Sequence, residues 1–231
     1  LTFTSANWDT AQTVTVTGAD DDLIDGTISS TTTISINDAS SDNNFDAVAD
    51  QTISVTTVDD DVAGFTIAET EGSTGVTEAG GTDTFTVVLN AQPDSNVVLS
   101  IASSDTGEAT VTGTVTFTPA NWDTAQTVTV TGADDDLVDG TVSSTTTISV
   151  NDASSDNNFD GVADQTVSVS TTDDDVAGFT VVELEGSTAV DESGTTDTFT
   201  VVLNAQPDSD VVLSIISSDT GEATVTSSLT F

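Results

Sequence analysis

The chain repeats itself at a spacing of 114 residues, and this constrains its folding more than any other feature. Residues 3–22 (FTSANWDTAQTVTVTGADDD) return as residues 117–136 (FTPANWDTAQTVTVTGADDD), and the run DDDVAGF at 59–65 returns at 173–179. Laying residues 1–117 on 115–231 leaves 21 mismatched positions, many of them Ile/Val, Ala/Gly or Ser/Thr exchanges. A period of this length is a whole domain, far longer than the ~20–50 residues of a solenoid turn. Near-identical copies in series also speak against an active site, so a non-catalytic protein is expected.

Within each period the pattern is that of strands. Residues 126–131 (QTVTVT) alternate Thr and Val, which sends Val to a core and Thr to solvent. Similar runs at 65–68, 82–89, 97–102, 114–118, 145–150 and 165–170 are rich in Thr, Val, Ile and Phe, residues suited to a half-buried pleated surface. Turns rich in Asp, Asn, Gly and Ser separate them, as at 92–95 and 132–140, and no helical period is present. Some seven short strands per period predict an all-β fold of tandem antiparallel β-sandwiches, Ig-like in kind, with Phe85, Phe117 and Trp122 as core anchors. Trp122 reads as a packing plug near a strand end. The triplet at 173–175 closes one strand and precedes the next, so the expected phase is one complete repeat at 62–175. It is flanked by the C-terminal half of a repeat at 1–61 and the N-terminal half of another at 176–231, each with exposed apolar faces.

Composition removes several functions. The chain has 40 Asp and Glu, no Lys, Arg or His, and a formal net charge of −40. Nothing is available to neutralise phosphates, which excludes nucleic acid as a partner, and an anionic bilayer would repel the chain. No apolar run is long enough to span a membrane, no signal-like segment opens the chain, and an internal excerpt of a larger protein is expected. With no Cys there are no disulfides, and with no Lys no side-chain isopeptide bonds. No salt bridge between side chains is possible either, so self-repulsion opposes compaction. High acidity often accompanies disorder, but hydrophobic residues make up 35% and fall into strand patterns, so the chain is built to fold if positive charge comes from outside.

The complete repeat holds 19 acids, many gathered in loops: Asp134, Asp135 and Asp136 with Asp139; Asp173, Asp174 and Asp175; and Asp105 with Glu108. Adjacent carboxylates repel unless a cation sits among them. Calcium accepts six to eight oxygens in irregular geometry, whereas zinc or copper would want the His and Cys that are missing. The same clusters recur as Asp20, Asp21, Asp22 and Asp25, as Asp59, Asp60 and Asp61, and as Asp219 with Glu222. Acidity serving only solubility or a salty habitat would scatter acids along exposed strand faces, and the Thr/Val strands carry almost none. A weaker candidate is the loop with Asp156, Asn158, Asp160 and Asp164, which places oxygens at positions 1, 3, 5 and 9 and Gly161 at 6 of a calcium loop. Position 12 is Val167 and the other copy has Ala47 for the glycine, so a polar turn around a buried Phe159 is the competing reading.

The order of features across 62–175 resembles the Calx-β domain, a calcium-binding sandwich of sodium–calcium exchangers that is also repeated in large bacterial surface proteins. The matching stretches are AGFTIAETEGSTGVTEAGGTDTFTVVLN, then SSDTGEATVTGTVTFTPANWDTAQTVTVTGADDDLVDG, then VSVSTTDDD. The resemblance implies ions at one end of the sandwich, near the next domain. It implies ligands from Glu78 (with Glu192 in the next copy), Asp105, Asp134, Asp135, Asp139 and the triplet 173–175. Asp139 stands where a longer Glu is usual, and the segment 152–164 is an insertion. The NWDTAQTVTVTG run is also similar to repeats of giant secreted bacterial adhesins. The expected function is a calcium-stiffened spacer in an extracellular bacterial surface protein, with neighbouring repeats as partners. The alternative is a filament or coat in which residues 176–231 of one chain complete residues 1–61 of the next. Carbohydrate binding through calcium is a lesser reading.

Overall fold

In the computed structural model, which describes residues 1–231, the middle of the chain forms two face-to-face sheets. In chain order the strands are β1 (Ile28–Ile34), β2 (Gln51–Thr57), β3 (Phe65–Glu69), β4 (Thr74–Thr77), β5 (Thr82–Leu89), β6 (Val97–Ser103), β7 (Ala109–Val111) and β8 (Thr114–Phe117). They continue with β9 (Gln126–Gly132), β10 (Thr141–Val150), β11 (Gln165–Thr172), β12 (Phe179–Glu183), β13 (Phe199–Leu203), β14 (Val212–Ser214) and β15 (Ser228–Thr230). One sheet has the order β3-β5-β9-β7 and the other β4-β11-β10-β6-β8. All pairings are antiparallel except β4 with β11, where Val169 lies opposite Thr74 in parallel register.

The period of two read from the sequence is the period of burial. Along β9, Val128 and Val130 are fully buried while the threonines between them face outward. Phe85, Val87 and Leu89 of β5 and Val97, Leu99 and Ile101 of β6 meet them in a single core of 17 buried residues that also includes Phe117 and Phe159. Trp122 is half-buried against this core, and its carbonyl accepts from Leu89 N–H. Burial of so many large apolar side chains, at roughly 1.5–3 kcal/mol each, is what opposes the repulsion of unpaired carboxylates.

The strands at 82–89 and 126–132 stand where the alternation puts them, while β10 extends back to Thr141 and β11 forward to Thr172. Two strands have no counterpart in the sequence pattern: β4, of four residues, and β7, of three. Neither is long enough to show a period, and both are edge strands set by their neighbours.

The flanking segments lack part of this pairing. β1 pairs with β2 as β10 pairs with β11, β12 with β13 as β3 with β5, and β14 with β15 as β6 with β8. Residues 12–18, identical to 126–132, form no strand, because no counterpart of β5 or β7 lies beside them. The apolar side chains of these segments are accordingly open to solvent: Val14 and Phe45 are 58% and 54% exposed where Val128 and Phe159 are at 0%.

Two hydroxyls of β10, those of Ser144 and Thr146, are buried in the core without a hydrogen-bond partner. An unmet buried hydroxyl costs about 1–3 kcal/mol. Thr146→Val, isosteric and β-branched, is expected to raise unfolding stability by about 1 kcal/mol, and Phe85→Ala to lower it by about 3–5 kcal/mol. Urea-denaturation midpoints measure both; a Thr146→Val variant less stable than the parent would show that the hydroxyl is satisfied in solution.

Candidate metal centre

Five strand ends converge at one tip of the sandwich, each delivering a carboxylate. β4 ends at Thr77 and hands the chain to Glu78, whose N–H donates to Thr172 O at the end of β11 (3.1 Å). Glu108 precedes β7, and its carbonyl accepts from Ala133 N–H just beyond β9 (2.8 Å). Asp135 and Asp139 lie in the loop from β9 to β10, and Asp173 and Asp175 follow β11. The approach is close: a Cβ on Gly132 would come within 2.0 Å of Thr77 O, so only glycine lets β9 run under the turn that carries Glu78.

Backbone amides shape the acidic loops. Gly140, in left-handed backbone at φ +79°, donates from its N–H to Asp173 Oδ2 (2.8 Å), and Asp175 N–H donates to Asp173 Oδ1 (2.7 Å). These amides hold Asp173 below the ordinary carboxylate range, so it stays ionised. Leu137 N–H caps Asp135 in the same manner (2.7 Å).

Glu78 is the exception, and the centre is built around it. Its side chain is 1% exposed, and neither carboxylate oxygen has a hydrogen-bond partner. Burial raises its pKa to about 7, helped by the negative charges of Asp173, Asp135, Asp139 and Glu108. Glu108 is also buried, with Oε2 unpartnered, and is pushed up first by burial and then by Asp139 and Asp105. Asp175 is raised by desolvation and by Asp136. Glu78 is the shared vertex of two trios, Glu78–Asp173–Asp175 and Glu78–Glu108–Asp139, each with ligand oxygens within 4.8 Å of one another.

Buried anions without hydrogen bonds are costly, and a cation among them removes the cost. The donors are carboxylate oxygens only, from five residues in irregular arrangement, which fits a hard divalent ion of calcium's size and high coordination number. Of the residues singled out in the sequence, Glu78, Glu108, Asp139, Asp173 and Asp175 therefore form the centre, with Asp135 beside it. Asp105 lies near enough to act on Glu108, but its Oδ1 accepts from Gly107 N–H (3.0 Å). Asp134, Asp136 and Asp174 surround Asp175 without joining either trio. No acid outside the sequence set enters the trios; what the sequence could not show is that two of them are buried.

The counterparts in the flanking segments are divided. Asp20, Asp21, Asp25, Asp59, Asp60 and Asp61 line an open depression, with Gly26 N–H donating to Asp59 Oδ2 (2.7 Å). Glu192, Asp219 and Glu222 are exposed at the far end of the chain. The segment 156–164 is occupied otherwise. Asp156 is buried and accepts from Asp94, Ser95 and Asn158 N–H, anchoring a turn over buried Phe159. Asn158 Nδ2 donates to Ile24 O (3.2 Å), while Asp160 and Asp164 are exposed.

No protein-family model matches the chain, and no curated protein matches it. Among solved structures it is similar to an apo-form Calx CBD1 domain, with TM-score 0.35 and 17% identity, covering 48% of this chain and 98% of that one. It is also similar to CBD12 from CALX1.2, with TM-score 0.35 and 14% identity over 63% of this chain and 76% of that one. Domains 4 and 5 of the S-layer protein SbsC give TM-score 0.32 and 24% identity over 53% of this chain and 59% of that one.

The raised pKa of Glu78 predicts a pH dependence with a definite sign. Its folded value of about 7 lies above the ordinary 4.5, so in the ion-free chain its contribution to stability is present below pH 4.5 and lost as pH rises to about 7. A cation must displace that proton. Calcium binding at pH 6 is expected to release protons, and at pH 8 to release few. Titration calorimetry in buffers of different ionisation enthalpy measures this, and Glu78→Gln is expected to reduce the release at pH 6, leaving the share of Glu108 and Asp175.

Proposed function

We propose that the chain is a structural segment of an extracellular surface protein, a non-catalytic spacer in which calcium binds at the tip of each sandwich and stiffens the junction to the next. The observation that carries the reading is Glu78, a buried carboxylate with both oxygens unmet, at the shared vertex of two acidic trios. No side chain in the molecule is able to neutralise it.

The junction supports the mechanical part. The loop that supplies Asp135 and Asp139 also meets the following segment: Gln206 N–H donates to Asp136 O (2.6 Å), and Leu137 bridges Gln206 in parallel register. The preceding junction repeats this contact, with Gln92 N–H on Asp22 O (2.8 Å) and Leu23 bridged to Gln92. Ile24 packs against the core of the middle sandwich there. An ion held by Asp135 and Asp139 fixes the loop whose backbone grips the next repeat, so occupancy and junction stiffness are linked. Tandem copies joined in this way form a rod, and a rod with no Lys or Arg suits exposure outside the cell, where trypsin-like proteases find no site.

Calcium at about 100 times its Kd is expected to stabilise a site by about 2.7 kcal/mol, a rise in Tm on the order of 10 °C for a domain of this size. Scattering should show a longer, less flexible particle. Running both measurements at low and high sodium chloride separates site binding from screening, since about 1 M salt shortens the Debye length to roughly 3 Å. Identical melting and scattering in calcium and in excess chelator would sink the spacer reading.

A further inference from the structure

The loop that carries Asp21 and Asp25 has two sides. On one, Asp21 Oδ1 accepts from Leu23 N–H (3.0 Å), and the acids gather with Asp59 and Asp61. The other side faces the next repeat. Asp22 O accepts from Gln92 N–H (2.8 Å), Leu23 bridges Gln92 in parallel register, and Ile24 is half-buried against the core of the sandwich at 62–175. The corresponding loop of the complete repeat makes the same backbone contact with the segment after it, Gln206 N–H on Asp136 O (2.6 Å) and Leu137 on Gln206, so the contact belongs to the junction itself. A clip in the linker keeps the two repeats in register. Asn90 N–H donates to Gly64 O (2.9 Å) and Thr66 Oγ1 donates to Asn90 Oδ1 (2.8 Å), and Asn204, Gly178 and Thr180 repeat both bonds. A Cβ on Gly64 would stand 2.8 Å from Asn90 Nδ2, so glycine lets the linker lie against that side chain.

The segment 152–164 builds part of the surface that receives this loop. It is firmly attached to its own sandwich. Buried Asp156 accepts from Asp94 and Ser95 N–H (2.6 and 2.9 Å), Ser155 Oγ accepts from Val98 N–H (2.9 Å), and Phe159 is fully buried in the core. These anchors tie the turn to residues 94–98, next to the Gln92 that grips Asp22. Held in this way, Asn158 extends its Nδ2 to Ile24 O (3.2 Å), a residue 134 positions earlier in the chain. Among Asp156, Asp160 and Asp164, position 158 carries a neutral amide. A carboxylate there would repel both the Ile24 carbonyl and the four acids of the arriving loop.

We propose that the 152–164 turn is a receptor for the acid loop of the preceding repeat, and that the sandwich at 62–175 is completed by Ile24 from outside its own bounds. The partner is residues 22–24: an apolar side chain for the core, with the carbonyls of Asp22 and Ile24 read by Gln92 N–H and by Asn158. Stability then passes along the array as a nearest-neighbour contribution added to the intrinsic stability of each repeat. The coupling is polar, because the loop at the acidic end of one sandwich enters the opposite end of the next. It needs no ion, and so stands apart from the cation reading of the Glu78 centre.

The two tryptophans allow a direct test. Trp8 is exposed and Trp122 is half-buried against the core, so in the full chain carrying Trp8→Phe the fluorescence of Trp122 reports the middle sandwich alone. In that chain Ile24→Ala is expected to lower the folding equilibrium constant of the middle sandwich roughly 5- to 30-fold, although residue 24 lies outside it. Hydrogen exchange of the β6 and β10 amides should quicken by the same factor. Asn158→Asp, close in shape but unable to donate, is expected to cost about tenfold, against about threefold for Asn158→Ala. With the loop undocked by Leu23→Gly and Ile24→Gly, both Asn158 substitutions are expected to be silent. The same differences should appear in calcium and in excess chelator. A middle sandwich indifferent to Ile24→Ala overturns the proposal. Asn158 effects that persist with the loop undocked also overturn it, because they assign Asn158 to its own turn. Either result leaves the calcium reading of Glu78 standing.

Discussion

The carboxylate of Glu78 sits in the interior with both oxygens unmet, and much of the surrounding architecture follows from keeping it there. A buried anion in a chain without Lys, Arg or His has three ways to persist: a proton, hydrogen-bond donors, or an ion from solution. Donors are withheld from Glu78 and given to its neighbours, since Asp173 takes two amides and Asp135 one. The site therefore combines Asp173, held ionised by backbone amides, with Glu78 and Glu108, which burial and their acidic neighbours push up. Such a set is frustrated without a cation and coherent with one.

That local frustration bears on the whole molecule because the strands are short and the tip is where they end. Glu78 is attached to β11 through Thr172, Glu108 to β9 through Ala133, and Asp173 to the start of β10 through Gly140. An ion at the tip thus ties both sheets together at the side from which the chain leaves for the next repeat. The core opposes the charge from below with Phe85, Phe117 and the Val residues of β9 and β11, and the far end is closed by the 156–164 turn. That turn uses Asp156 as a backbone anchor and offers Asn158 to the preceding repeat. One end of the sandwich is thus acidic and ion-ready, and the other is polar and shaped to receive it.

Much of this is legible in the linear chain. The alternation in QTVTVT puts Val128 and Val130 inward because a pleated strand has no other period, and the loop acids are visible as clusters because the strands between them carry so few. The two short strands β4 and β7 are not legible, since three or four residues show no period and edge strands are held by partners distant in sequence. They flank the two buried glutamates, so the missed strands and the missed burial have one cause. At 156–164 the spacing of oxygens is real, but spacing is blind to direction. Asp156 points at amides, and Phe159 needs the turn to cover the core.

By itself the sequence determined the repeat, the strand periodicity, the absence of any internal counter-charge and the gathering of acids in loops. These are properties of composition and local order, and local chemistry suffices to read them. Only the tertiary structure decided which carboxylates meet and that Glu78 is the vertex at which they do. Those depend on cross-strand pairings between residues far apart in the chain, such as Val169 with Thr74. Long-range pairing of this kind leaves no periodic mark on a linear chain, because its energy lies in contacts that exist only once the sheets have closed.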